Sequence, residues 1–206
     1  MILRHGLFLM LSLSKNKFGS ACIIPTDLSA YGGGGQAKCS LFTTPLGNNM
    51  IKIRKATHDD VKSITSLWCE FMDLHNNYDN YYKRAKNGSK VFSEFIKKQI
   101  SEGNSLVLVG LINKVICAYL AAKIEYRPAV FSARKYGLIS DIAVAEKYRR
   151  HGIGEKIYSE AIEWFKKRKI KRIELTVATS NPISIKFWSK LGFKPYSERR
   201  FIEVDN

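Results

Sequence analysis

From residue 50 onward the apolar positions follow two spacings in turn, and the switches between them delimit the elements. Val61, Ile64, Leu67, Trp68, Phe71 and Met72 recur every three or four residues, which places them on one face of a helix from about His58 to His75. Thr57 with Asp60 three residues later is a capping box that opens it. Phe92, Phe95, Ile96 and Ile100 repeat the spacing over about Ser89–Ser101. Ile153, Ile157, Ala161, Trp164 and Phe165 repeat it again over a helix reaching about Arg168. Between these lie strand-like runs: Ile51–Arg54, Ser105–Leu111, Val115–Ile124, Gly137–Val144 and Arg172–Val177. Asn113-Lys114 separates two of them and predicts a hairpin turn. Pro182–Leu191 reads as a last helix and Glu198–Val204 as a last strand, whereas Asn76–Lys86 and Tyr126–Tyr136 have no period and read as loops. Helices and strands mixed in this order predict an α+β domain.

The first 49 residues break the pattern. They hold a single acidic residue, Asp27, a glycine run at Gly32–Gly35 and no sustained period. A signal peptide can be argued from Gly6–Leu13, although that run is short and Lys15 and Lys17 follow it closely. An organellar presequence accounts for the basic, acid-poor composition. The plainest reading is a disordered or dispensable extension, with the domain proper at residues 50–206. No run of eighteen apolar residues points to a membrane span.

The densest chemistry lies at Tyr148-Arg149-Arg150-His151-Gly152-Ile153-Gly154, between the strand ending at Val144 and the helix beginning near Ile153. A strand, a basic glycine-containing turn and a helix together bring backbone N–H groups and a helix N-terminus against a phosphate. A Walker A loop would need a Lys-Ser/Thr end that is absent here. A dinucleotide fingerprint would need a glycine where Ile157 stands. The spacing that fits is Arg-x-x-Gly-x-Gly, from Arg149 to Gly154. About thirty residues later, Asn181-Pro182 opens a helix that closes in Lys190-Leu191-Gly192-Phe193, with Asn as N-cap, Pro at the first helical position and Gly past the end.

These two motifs, in this order, resemble the GNAT superfamily of acyl-CoA-dependent N-acyltransferases over roughly residues 50–200. The resemblance implies a mixed, mostly antiparallel central sheet with helices on both faces, splayed at its two central strands. It implies acetyl-CoA as cosubstrate and direct attack by an acceptor amine. The backbone N–H of Ile142 would polarise the thioester carbonyl, with Ala143 and Val144 holding the pantetheine arm. Arg149, Arg150, His151, Gly152, Ile153, Gly154 and Glu155 would surround the pyrophosphate, and Asn181, Ser184 and Trp188 would flank the arm.

Two positions depart from the family pattern. Relatives commonly carry a glutamate where this chain has Leu138 or Ser140, and a tyrosine acid where it has Trp188. An indole donates a hydrogen bond but is not a useful acid. Ser140 acting through a water, Glu125, His75 and Tyr126 are the remaining candidates for proton transfer. Strand alternation turns Asp141 away from Ser140 and Ile142, which favours a structural role for it.

The net charge of +16 suits a polyanionic cosubstrate, and Lys147, Arg149, Arg150 and Lys156 crowd the expected site. Interleaved Tyr and Lys at Tyr78–Lys86 leave a nucleic-acid-binding alternative, and a non-catalytic acyl-CoA sensor is another. Tyr78, Tyr81, Tyr82, Tyr126 and Tyr136 either line an acceptor pocket for a small amine or peptide end or serve as packing. The four cysteines form no Cys-x-x-Cys pair and do not cluster with histidine, so no metal is expected. Cys69 and Cys117 read as small core residues of a reducing, cytoplasmic compartment. No membrane partner is expected, and a homodimer is left open.

Overall fold

The computed structural model describes residues 50–204, so the expectations for the first 49 residues lie outside the described part. Its elements in chain order are β1 (Lys52–Lys55), α1 (Val61–Asn76), α2 (Gly88–Ser101), β2 (Ser105–Ile112), β3 (Val115–Tyr126), β4 (Lys135–Val144), α3 (Ile153–Lys167), β5 (Ile173–Glu174) and α4 (Pro182–Lys190). The strands lie in the order β1-β2-β3-β4-β5, antiparallel throughout except that β4 and β5 run parallel.

β3 explains why the molecule has two cores. Its residues from Cys117 to Ala122 are all fully buried, because helices cover both faces of the sheet. Tyr119 and Ala121 face α1 and α2, where Ile64, Trp68, Phe71, Phe92 and Ile96 pack. Ala118, Leu120 and Ala122 face the other way, onto Ile153, Ile157, Ala161 and Phe165 of α3. The period of two in β3 and the helical period in α1 and α3 are thus the same packing solution read from opposite sides. Asn113 and Lys114 both adopt positive φ, 49° and 67°, as a two-residue hairpin turn between β2 and β3 demands.

A short 3₁₀ turn, His58–Asp60, leads into α1. Asp60 accepts the Thr57 N–H at 2.7 Å and is forked by Arg54 at 2.6 and 2.9 Å. The Arg54 hydrogen bonds lower the Asp60 pKa to about 2, against the cost of burial. Its folded-state pKa lies below the unfolded value of about 4, so its contribution is full above that value and is lost as pH falls toward 2. Asp60→Asn should therefore cost about 2 kcal/mol at neutral pH, and the difference from wild type should vanish near pH 2 in denaturant titrations.

Two expectations are corrected. Glu198–Val204 forms no strand, and Phe201, Ile202 and Val204 are largely exposed. The strand expected over Arg172–Val177 is reduced to Ile173–Glu174 with an isolated bridge at Val177. Among the described residues β5 is therefore the sheet's edge, and the parting of strands described below lies between β4 and that edge rather than at the centre. Gly137, where β4 and β5 still pair, is a glycine for a steric reason. A Cβ there would stand 2.5 Å from the ring of Phe165, a fully buried α3 residue with no room to yield.

Candidate functional site

β4 and β5 pair only at Gly137 with Ile173 and Leu138 with Glu174, and beyond that point they separate. A cleft opens there, walled by Ile139–Ile142 on one side and by Leu175 and Thr176 on the other, with Trp188 against it. Which backbone groups face the cleft follows from two hydrogen bonds. Gly137 N–H donates to Arg172 O on the β5 side at 2.8 Å, whereas Ala145 N–H donates to Cys117 O on β3 at 2.8 Å. Both are odd-numbered, so an uninterrupted strand would point them to the same edge. Between them β4 carries a bulge, where the pairing steps from Ala121 with Asp141 to Ala122 with Ile139. The extra residue turns the N–H groups of Ile142 and Val144 toward the unpaired edge.

Asp141 points away from Ile142, as alternation reads, and the bulge shows instead in Ile139, which shares the face of Ile142 rather than that of Asp141. Ile139 and Ile142, three apart, both pack toward the α3 core. Asp141 accepts a hydrogen bond from the Tyr119 hydroxyl, which belongs to the α1–α2 core, at 2.5 Å. Asp141 is half-buried, yet enough of the chain surrounds its carboxyl that burial pushes the pKa up to about 7. The Tyr119 hydroxyl and the Ile142 N–H, both favouring the carboxylate, act in the opposite direction. The polar doublet Ser140-Asp141 interrupts an otherwise apolar strand, where strict alternation allows one polar residue between apolar ones.

At the end of β4 a short 3₁₀ turn, Glu146–Tyr148, leads to Arg149, whose Nε donates to Val144 O at 2.9 Å and braces the strand end. Arg150 and Gly152 both take positive φ, 63° and 73°, and α3 begins at Ile153. A left-handed arginine is strained and persists where the surroundings impose it. The bond from Lys156 N–H to Gly152 O is the first of the helix ladder, so the N–H groups of Ile153, Gly154 and Glu155 precede it. Gly152 stands in open space, with nothing within 4 Å of where a Cβ would lie. Gly154 is a glycine for another reason, since a Cβ there would sit 3.3 Å from Phe187 of α4. Lys147, Arg150 and His151 are exposed around the turn, and Glu155 is tied to Lys190 at 2.5 Å.

α4 packs beside the cleft because its start is well capped. Asn181 Oδ1 accepts the Ser184 N–H at 3.1 Å, both residues are buried, and Pro182 stands in the first turn. Trp188 is enclosed edge-on by Tyr158, Phe187 and Phe193, with ring centroids 5.9, 4.9 and 5.2 Å away. Its Nε1 and the Oγ of Ser140 are buried without hydrogen-bond partners among the described residues, and both residues line the cleft. Two orphaned polar groups beside one opening favour an occupant that offers them partners.

The other proton-transfer candidates are placed less favourably. Glu125 pairs with Lys123, and Tyr126 is 59% exposed. His75 is fully buried between Phe71 and Tyr82, with Nδ1 on Phe71 O at 2.9 Å, and burial lowers its pKa. The five tyrosines divide: Tyr82 packs on His75, Tyr136 lies under Arg127 and Tyr78 is half-buried, while Tyr81 and Tyr126 are exposed.

The chain is similar to known proteins in sequence and in fold. The chain is 28% identical over 149 residues to an uncharacterized N-acetyltransferase of Methanocaldococcus jannaschii, a match covering 71% of this chain and 63% of that protein. It therefore spans less than two thirds of that relative's length. It is 27% identical over 159 residues to an N-alpha-acetyltransferase of Sulfurisphaera tokodaii, covering 75% of this chain and 86% of that one. Among solved structures, a tetramutant of the Bacillus halodurans protein BH1408 superposes with a TM-score of 0.68 at 26% identity, over 74% of this chain and 99% of that one. An aminoglycoside 6′-N-acetyltransferase of Acinetobacter baumannii shares the fold at a TM-score of 0.60 and 18% identity, over 76% and 99% of the two chains. The model of the acetyltransferase (GNAT) family matches residues 64–193, which take in the sheet from β2 onward, the basic turn and the capped α4, and the chain belongs to that family.

Proposed function

We propose that this protein transfers an acetyl group from acetyl-CoA to an amine of its acceptor by direct attack, without a covalent enzyme intermediate. The observation that carries this reading is the parting of β4 from β5, which leaves the N–H groups of Ile142 and Val144 on an unpaired edge leading toward the turn at Gly152. The residues present fit the cosubstrate: a strand edge without a partner, two orphaned polar groups beside it, and an open, basic helix start at its end.

Acetyl-CoA supplies the acetyl group as an activated thioester. Val144, beside Ala143, offers backbone groups to an extended arm as a neighbouring strand would. Ile142 N–H serves as a fixed donor where negative charge develops on the carbonyl oxygen, and a fixed donor needs no reorganisation during the reaction. The N–H groups from Arg150 to Glu155, the α3 dipole and the Arg150 and His151 side chains hold the pyrophosphate. Asn181 and Ser184 act mainly by fixing α4, which sets Trp188 against the cleft. The acceptor is an amine-bearing small molecule or peptide end entering from the side of α1, α2 and the loop before β4. Free Cys69 and Cys117 fit a cytoplasmic site of action.

Calorimetry tests the first half of this reading. Acetyl-CoA and CoA should bind in preference to ATP and NAD, and Arg150→Ala should weaken binding by roughly 1–3 kcal/mol, the scale of a lost hydrogen bond to a charged group. Equal affinity for all four ligands, or no effect of Arg150→Ala together with intact binding, would count against the turn as the pyrophosphate site.

A further inference from the structure

We infer that Asp141 accepts the proton of the acceptor amine, positioned for that task by the hydroxyl of Tyr119. The inference rests on the acetyl-transfer reading above and adds the base that the sequence departures at residues 138, 140 and 188 leave unassigned.

Position is the first argument. Asp141 borders the cleft immediately before Ile142, whose N–H faces the unpaired edge, and its carboxyl reaches across the opposite face of the sheet toward α1 and α2. A base for the attacking amine belongs on the acceptor's side of the sheet and next to the carbonyl donor. Asp141 and Ile142 pair in regular register beyond the bulge, and the alternation of successive residues produces that combination, the carboxyl on one face and Ile142 on the other.

Partners are the second argument. The chain holds another buried aspartate, Asp60, and equips it as structural carboxylates are equipped: Arg54 forks it, a backbone N–H caps it, and its pKa falls. The carboxyl of half-buried Asp141 is enclosed by the chain with no cation beside it among the described residues. Its side-chain partner is Tyr119, itself fully buried and edge-on to Phe92 of α2 at 6.3 Å between centroids. From the α1 side Cys69 influences Tyr119, and Cys69 is itself touched by Arg84 at 3.4 Å and influenced by Asp73 and Glu70. No charged side chain of β5, α3 or α4 among the described residues contributes to the titration of Asp141. An uncompensated buried carboxylate lowers stability wherever it is ionised, so the fold gains nothing from it. What it provides is a carboxylate whose proton affinity matches neutral pH, the condition under which a general base works best.

The proton balance is simple. The Asp141 carboxylate takes one proton from the acceptor's ammonium group, leaving a neutral amine and a carboxylic acid. The amine nitrogen forms its bond to the acetyl carbon, the carbon–sulfur bond breaks, and the electron pair leaves with sulfur. The nitrogen's remaining excess proton passes to the departing thiolate, and Asp141 returns its own proton to solvent. One ammonium and one thioester thus give one amide, one thiol and one proton.

The test uses the full chain, with acetyl-CoA and three probe amines (spermidine, an aminoglycoside and a peptide with a free N-terminus), following thiol release from pH 5.5 to 9.5. For wild type, kcat/KM should rise with pH through a midpoint near 7, and the midpoint should be the same for each amine that turns over. Asp141→Asn should remove that limb and lower the rate at neutral pH by about 10²–10⁴-fold, the usual contribution of a positioned base, with acetyl-CoA affinity unchanged. Tyr119→Phe deletes a donor that favours the carboxylate, so its limb should move to higher pH while the plateau rate stays within a few-fold. A structural role would not move the limb. Carbon-13 NMR of aspartate-labelled protein supplies a readout without turnover: one carboxyl titrating near 7 in wild type, absent in Asp141→Asn and displaced upward in Tyr119→Phe. Retention of the wild-type limb in Asp141→Asn, or an unmoved limb in Tyr119→Phe, overturns the proposal and leaves the acetyl-transfer reading standing. Absence of turnover by wild type with all three amines, despite acetyl-CoA binding, overturns that reading and the proposal with it.

Discussion

Gly152→Asp is expected to lower acetyl-CoA affinity by a hundredfold or more while leaving the fold intact. Gly152 has φ of 73° and nothing within 4 Å of a would-be Cβ, so an added side chain meets the ligand's space rather than the protein. An aspartate there places a carboxylate against the pyrophosphate, and like charges brought together cost several kcal/mol. Asparagine tolerates the left-handed conformation and has nearly the same shape without the charge. Gly152→Asn should therefore lose far less affinity than Gly152→Asp, and calorimetry on the pair separates charge from bulk. Equal affinities for wild type and Gly152→Asp would show that the phosphates lie elsewhere. Gly154 is a poor probe of the same question, because its substitution would first disturb α3 against Phe187.

Trp188 should give the largest effect on stability and a small one on chemistry. Its ring is buried among Tyr158, Phe187 and Phe193, so Trp188→Ala should cost about 3–5 kcal/mol and visibly lower the melting temperature. Trp188→Phe keeps an aromatic ring in that cage and removes an Nε1 that has no hydrogen-bond partner among the described residues. Losing an unsatisfied buried donor offsets part of the lost contact area, so this variant should lie close to wild type in stability. Its kcat should also remain within a few-fold, because an indole cannot supply a proton to a leaving thiolate. A fall in kcat of a hundredfold or more in Trp188→Phe, with acetyl-CoA affinity intact, would assign the indole N–H a part in the transition state.

Local order was legible in the sequence wherever a repeating pattern or a cap enforced it. The helical spacing of Val61–Met72 and Ile153–Phe165, the hairpin at Asn113-Lys114 and the cap at Asn181 each rest on neighbours within a few residues, and each appears in the structure. The basic turn was legible for the same reason. What was not legible depends on partners distant in sequence. Arg172–Val177 reads as a strand, but only Ile173 and Glu174 find pairing partners on β4 before the strands part. Glu198–Val204 has the composition of a strand but pairs with no strand among the described residues. Alternation placed Asp141 opposite Ile142 correctly, but it also assumes a regular strand before that pair, and the bulge that brings Ile139 to the face of Ile142 exists only in the pairing of β4 with β3. The reason for glycine at 137 was likewise hidden, since it lies in the ring of Phe165 rather than in the local backbone.

The central claim is transfer of acetyl from acetyl-CoA to an amine, and the most direct measurement counts both products of one reaction. The protein is incubated with acetyl-CoA and a panel of polyamines, amino acids, aminoglycosides and peptide N-termini, with free thiol and acetylated amine quantified together by mass spectrometry. The account predicts that at least one amine gains an acetyl group in a one-to-one ratio with thiol released, and that Gly152→Asp abolishes both signals. Tight acetyl-CoA binding with no acetylated amine anywhere in the panel would contradict it, and would identify the cleft as a sensor of the thioester rather than a place where it reacts.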